Sequence, residues 1–459
     1  MSDANLPLDA DPDQIRIVED AVLNFIDRFL KSRLDAPAVL PPTAPGLIDA
    51  LLGSPPAEGV PIEELLSTFD AAIDTGFDTT SPGFLSYIPT GGLYTSALGS
   101  FLGAATNQYT GGQHAAPGAV AIEQSVIDWM TSLFGLPESS GGILLSGGSA
   151  ANLTAVVTAR DQMGDDFSEG VIYSSERSHH SIAKAARIAG IASKRVRLVP
   201  VDHRLRMDSD ALEAMVFADI GDGLRPMMIV ATAGTTDTGA IDPLNRCADI
   251  AVRAASWFHV DAAYGGFFQL TERGRKRLVG IERADSITVD AHKSLFLPFG
   301  VGGILVRDIA TLVDAHSGRG AYMQDVGDGE TPHFFQLGAE LTRPYRGLNV
   351  WLPLHLHGVN AFRTVLDTML DLAEWSAEAL HSTPGIEVVN EPELSIVAFR
   401  SVDGDAASQR IFDHLSSTRE LHVSSTVIDG KFTLRLAYLS HRTSIATARR
   451  AIELIAEAV

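Results

Sequence analysis

The segment Asp285-Ser286-Ile287-Thr288-Val289-Asp290-Ala291-His292-Lys293-Ser294, running on to Gly302-Gly303-Ile304-Leu305-Val306, decides how the rest of the chain is read. From Ser286 to Val289 small polar residues alternate with β-branched apolar ones, the period-two pattern of a strand. A His and a lone Lys follow directly, then apolar, Pro and Gly residues that solvate a charge poorly. Such surroundings favour the neutral form of an amine, and a neutral amine attacks carbonyl carbon. The alternative is a strand-end lysine whose amine simply reaches water.

The totals restrict the function classes. At 459 residues the chain is long for one core and predicts two or three domains. A hydrophobic content of 45% with 41 glycines fits a globular α/β enzyme. The formal charge of −22 argues against nucleic acid or an anionic membrane as partner. The single cysteine, Cys247, excludes an intrachain disulfide and a multi-cysteine metal site, and suits a reducing compartment. No apolar run resembles a signal peptide or a membrane span, so the expected location is the cytoplasm.

Outward from the opening segment the chain alternates strand and helix. Ile143-Leu-Leu-Ser, Val171-Ile-Tyr-Ser, Val196-Arg-Leu-Val, Met228-Ile-Val-Ala-Thr, Trp257-Phe-His-Val-Asp, Ile287-Thr-Val-Asp and Gly303-Ile-Leu-Val are short, mostly apolar runs. Helical stretches such as 150–163 and 181–189 lie between most of them. That alternation predicts an α/β fold with a largely parallel sheet covered on both faces, and a ligand at the strands' carboxyl ends. Residues 1–80 read as a peripheral helical segment, 81–355 as the large domain, and 356–459 as a small C-terminal α/β domain. The Gly-rich, charged run 318–330 reads as a mobile loop.

Each polar residue of interest follows one of these runs. Ser146-Gly-Gly-Ser-Ala-Ala-Asn joins a strand to a helix, where small residues let backbone N–H groups meet an anion. Taken alone it is a weak signal, and the alternative is a tight turn with Ser149 as the helix cap. Asp261 ends a strand and precedes Ala262-Ala-Tyr-Gly-Gly, so its carboxylate is suited to a protonated ring nitrogen; the alternative is a turn-capping Asp. His179 is placed to stack on a ring, or else is a surface histidine in a polar loop. Phosphate cradle, ring-nitrogen carboxylate, stacking imidazole and amine nucleophile together make the inventory of a pyridoxal phosphate site.

With these residues in view, His259-Val-Asp-Ala-Ala-Tyr-Gly-Gly and Asp285-Ser-Ile-Thr-Val-Asp-Ala-His-Lys resemble the signatures of group II pyridoxal-phosphate-dependent amino acid decarboxylases. That family includes aromatic-L-amino-acid, glutamate and tyrosine decarboxylases. The likeness runs from about residue 75 to the end, with further matches at Tyr87-Ile-Pro-Thr, Gly147-Gly-Ser-Ala-Ala-Asn, His179, Val230-Ala-Thr-Ala-Gly-Thr-Thr and Leu434-Arg-Leu-Ala. It implies the fold type I aminotransferase architecture: a large domain on a mostly parallel seven-stranded sheet, a small C-terminal domain, and a homodimer with active sites at the subunit interface.

Carried over residue by residue, the resemblance gives Lys293 the covalent link to the cofactor aldehyde and Asp261 the pyridine nitrogen. His179 would stack on one ring face with Ala263 on the other. Gly148, Ser149 and His292 would contact the phosphate, and Thr236 would lie near the ring. Tyr322 matches a loop tyrosine that returns a proton to the substrate carbon after carbon dioxide leaves. Tyr87, Ile88, Pro89 and Thr90 match a substrate pocket, Tyr109 would reach across from the partner, and Arg435 would support the site. The implied reaction is decarboxylation of an L-amino acid, aromatic by preference, to its amine. Gln113 and His114 are suited instead to a polar or acidic substrate side chain. Aldehyde synthesis, transamination, carbon–carbon lyase chemistry and a catalytically idle relative are the alternatives. Two positions depart from the family pattern: Asp290-Ala291 stands where Asn-Pro or Asp-Pro is common, and Ser294 where a large residue is common. A carboxylate at 290 pointing inward would oppose a phosphate.

Overall fold

The computed structural model describes residue 8 and residues 11–318 and 332–459. The strands in chain order are β1 (Phe84–Leu85), β2 (Gly141–Leu145), β3 (Gly170–Ser175), β4 (Val196–Val199), β5 (Arg225–Thr232), β6 (Trp257–Ala262), β7 (Ser286–Val289), β8 (Gly302–Val306), β9 (Ile386–Val388), β10 (Ile396–Ser401), β11 (His422–Ile428) and β12 (Lys431–Ala437). Seven form one sheet in the order β2-β8-β7-β6-β5-β3-β4. All neighbouring pairs are parallel except those of β8, which runs antiparallel between β2 and β7. This is the fold type I architecture. The central strands are buried almost from end to end, as cover on both sheet faces requires, and β7 is buried at every position although small polar residues alternate along it.

The second sheet, β1-β11-β12-β10-β9, takes four of its five strands from residues 386–437 and is antiparallel except where β1 pairs with β11. The Pro/Gly/aromatic stretch after Ser81, expected to resist regular structure, thus contributes a two-residue strand to that sheet. Helices Ala310–His316 and Arg346–His357 lie in the stretch where the strand–helix alternation stops. Residues 12–73 supply the helices Pro12–Ser32, Leu47–Leu51 and Ile62–Ile73. The first is capped by the Asp11 carboxylate accepting the Asp13 N–H, with Pro12 opening the helix where its missing donor costs nothing. Among the described residues no helix is long and apolar enough to cross a membrane.

Candidate active site

The parallel strands all end on one side, and the loops leaving them enclose a cavity of about 310 Å3. Its walls include Gly148 and Ser149 after β2, His179 after β3, Thr236 after β5, Asp261 and Ala263 at the end of β6, and Asp290, His292 and Lys293 after β7. Residues far apart in the chain meet because each follows a parallel strand. Tyr87, Ile88, Pro89, Thr90, Tyr109 and Arg435 are not among the lining residues, and Tyr322 lies outside the described residues.

The β2 turn reaches the cavity through Gly147, whose φ of 150° a side chain would strain, and the helix Gly148–Asp161 begins immediately. Gly147 is the cap, so Ser149 sits in the first turn. The N–H groups of Gly148 and Ser149 therefore have no acceptor within the helix, and the helix dipole favours an anion in front of them. A Cβ on Gly148 would stand 3.1 Å from Ala263 Cβ and 2.9 Å from Asp290 Oδ2.

Asp261 is buried, and both its oxygens are engaged. Oδ2 accepts from Asn152 Nδ2 at 2.8 Å and Oδ1 from the Ala263 N–H at 3.2 Å. Burial pushes His179 below the ordinary imidazole range, with Asp261 opposing the shift. Its Nδ1 lies 2.8 Å from Ser181 Oγ and also accepts the Ser181 N–H. Lys293 is the third residue of a one-turn helix, Ala291–Ser294, with its Nζ 3.1 Å from Asp290 Oδ2. His292 donates from Nδ1 to the Val301 carbonyl at 2.9 Å, and burial pushes its ring below the usual range too.

Sequence reading gave Asn152 no role, and it marked Asp290 only as a departure whose carboxylate would oppose a phosphate if it pointed inward. Asn152 is buried on the helix Gly148–Asp161 and touches Asp261, Ser181, His259 and Thr288. Only its place within Gly-Gly-Ser-Ala-Ala-Asn marked it. Asp290 points inward: it lines the cavity, its Oδ1 has no hydrogen-bond partner, and Gly147, Gly148 and Gly302 close around it.

Arg435 is a buried clamp. It donates to Ser424 Oγ at 2.6 Å, to the Asp237 and Tyr87 carbonyls at 2.7 and 3.0 Å, and to the Thr236 carbonyl. Four of its five N–H groups are thereby used, so it holds the β5 loop against the small sheet. Tyr87 has a positive φ of 52° and is 59% exposed. Ile88 is half-buried, Pro89 and Thr90 are buried, and Tyr109 donates its hydroxyl to the Leu341 carbonyl at 3.1 Å.

Comparison with known proteins identifies the family. Residues 48–402 match the pyridoxal-dependent decarboxylase conserved domain. The chain is 34% identical over 375 residues to an aromatic-L-amino-acid decarboxylase of Bacillus atrophaeus, covering 79% of this chain and 78% of the relative. It is 31% identical to an L-2,4-diaminobutyrate decarboxylase of Rhizobium meliloti, covering 98% and 93%. A crystal structure of Oryza sativa TDC with PLP and tryptamine superposes with a TM-score of 0.92 at 28% identity, over 99% of each chain.

The cavity's residues fit the family's cofactor: free helix-start N–H groups for a phosphate, a held carboxylate for a ring nitrogen, and a lysine amine for an aldehyde. The chain belongs to the pyridoxal-dependent decarboxylase family and is a pyridoxal-phosphate-dependent amino acid decarboxylase.

Proposed function

We propose that the protein removes the α-carboxylate of an L-amino acid, aromatic by preference, and releases the amine. The observation that carries this reading is one cavity lined by Lys293, Asp261, His179, Ala263, Gly148 and Ser149. Pyridoxal phosphate, when bound, supplies an electron sink for the bond broken at the substrate's α-carbon. The protein's part is to hold and orient. Gly148 and Ser149 present N–H groups to the phosphate, with His292 beside them, and Thr236 borders the ring. Asp261 keeps a positive charge at the ring nitrogen, and His179 and Ala263 confine the ring between two faces. Lys293 Nζ supplies the amine that attaches the cofactor. The walls of the pocket would fix how the substrate lies against the ring, and that orientation would select loss of the carboxylate over loss of a proton. Tyr322 then delivers the proton of its hydroxyl to the substrate carbon.

The aromatic preference is supported by the aromatic-L-amino-acid decarboxylase likeness, with Tyr87, Ile88, Pro89 and Thr90 as the proposed contacts. We also propose a homodimer in which Tyr109 serves the partner's cavity. Exposed Ile15, Ile17 and Leu23 on the helix Pro12–Ser32, and Phe101 and Leu102 on the helix Tyr94–Thr106, provide apolar surface for it.

A panel of L-amino acids, with carbon dioxide, amine, aldehyde and ammonia all measured, tests the reading. The expected result is equal carbon dioxide and amine, fastest with an aromatic substrate; ammonia and aldehyde in their place would overturn it. Tyr322→Phe is expected to divert product toward the aldehyde, and an unchanged amine yield would remove the role given to Tyr322.

A further inference from the structure

We propose that Asn152 is a positioning residue that holds Asp261 and His179 in their working orientations at once, using the whole hydrogen-bonding capacity of its side chain. The proposal rests on the decarboxylase reading and extends it to a buried residue of the cavity wall and the partners behind it.

Asn152 is 1% exposed and makes four hydrogen bonds to residues on three elements of the fold, β6, β7 and the helix Ser181–Ile188. Its Nδ2 donates to Asp261 Oδ2 at 2.8 Å and to Ser181 Oγ at 2.9 Å. Its Oδ1 accepts from Thr288 Oγ1 at 2.7 Å and pairs with His259 Nε2 at 3.1 Å. A side-chain amide has two donors and two lone pairs, so nothing is left over. The reverse amide orientation would aim its oxygen at the Asp261 carboxylate, oxygen against oxygen. The orientation is therefore determined, and it determines the protons of its neighbours.

On one branch, His259 must carry its hydrogen on Nε2, leaving Nδ1 to accept from Ser286 Oγ at 2.8 Å. Ser286 Oγ in turn accepts from Trp257 Nε1, a pure donor, at 2.7 Å. On the other branch, Ser181 Oγ already accepts from Asn152, so its own hydrogen is free for His179 Nδ1. That nitrogen also accepts the Ser181 N–H, so His179 keeps its hydrogen on Nε2. Burial agrees with a neutral His259, whose pKa is pushed down to about 4.

No other side chain satisfies these four neighbours. Asp lacks the donors, Ser and Thr have one donor each, and Gln adds a methylene in a site with no spare room.

The test is nitrogen-15 NMR of histidine-labelled full-length protein, with and without pyridoxal phosphate, alongside steady-state kinetics. The wild type is expected to show His179 and His259 neutral at pH 7 with the hydrogen on Nε2. Asn152→Leu should leave neither ring with a single tautomer and lower kcat by about tenfold to a hundredfold, the usual cost of losing an outer partner that orients a contact group. KM should change far less. Ser181→Ala, a smaller change, should release His179 alone and leave His259 as in the wild type. A wild-type hydrogen on Nδ1 of either ring, or tautomers unmoved in both variants, would overturn the proposal. The tautomers of the cofactor-free protein report on Asn152 alone. An absence of carbon dioxide release would strike the decarboxylase reading instead.

Discussion

Two adjacent strands, β6 and β7, each end in a buried carboxylate that faces the cavity, and the two are held in opposite ways. Asp261 receives hydrogen bonds on both oxygens, from a side-chain amide and a backbone N–H. Asp290 has Lys293 Nζ on one oxygen and nothing on the other. A carboxylate with both oxygens satisfied costs little to bury and stays where a ring nitrogen needs it. One left half-satisfied is costly, and such groups persist in folded proteins chiefly where chemistry needs them. On the proposed reading, β6 supplies a charge held in place by its neighbours, and β7 a charge paired with the lysine proposed to carry the cofactor.

The same substitution at the two ends should therefore act in opposite directions. Asp261→Asn removes the charge proposed to face the ring nitrogen and is expected to slow carbon dioxide release by about 10²–10³-fold, the scale of losing one preorganised electrostatic partner. A rate within a few-fold of wild type would end the distinction drawn for β6.

The support behind Asp261 has a pH signature. His259 is neutral in the fold with its pKa pushed down to about 4, whereas the unfolded ring titrates near 6.5. Its contribution to stability is complete above about 6.5 and is lost as the pH falls toward 4, by about 3 kcal/mol at most. His259→Gln should flatten that acid limb of the denaturant midpoint; an unchanged limb would show that the ring is not the group responsible.

Crowding around Asp290 gives the next effect. A Cβ on Gly302 would lie 2.1 Å from Asp290 Oδ1 and 2.6 Å from Gly147 Cα. Gly302→Ala is expected to destabilise by about 1–3 kcal/mol, as overpacking does, measured by urea unfolding. The smallest expected effect is Asp290→Asn. It removes a carboxylate beside the proposed phosphate cradle, so the cofactor-free protein should bind inorganic phosphate more tightly, by about tenfold for one unfavourable charge contact in partial solvent. Weaker binding by calorimetry would mean that Asp290 assists the anion.

The architecture could be read from the chain because it follows from local pattern. Seven apolar runs separated by helices leave a parallel sheet as the arrangement that buries them all, and residues such as Lys293 and His179 fall at strand ends by position alone. The short strand Phe84–Leu85 was not legible, since two residues among Pro, Gly and aromatics carry no period; its pairing with His422 and Val423 exists only in three dimensions. Arg435 likewise matched a site residue in sequence, yet its guanidinium is occupied by carbonyls that the tertiary fold brings to it.

By itself, the order of residues determined the fold class, the strand ends that carry polar groups, and the cofactor chemistry those groups suit, because each depends on neighbours within a few positions. Only the tertiary structure decided that Asp290 turns inward and that Asn152 joins Asp261, Ser181, His259 and Thr288. Hydrogen bonds between residues 29 to 136 positions apart in the chain leave no trace in local spacing, and they exist once packing has excluded the water that would otherwise satisfy each group.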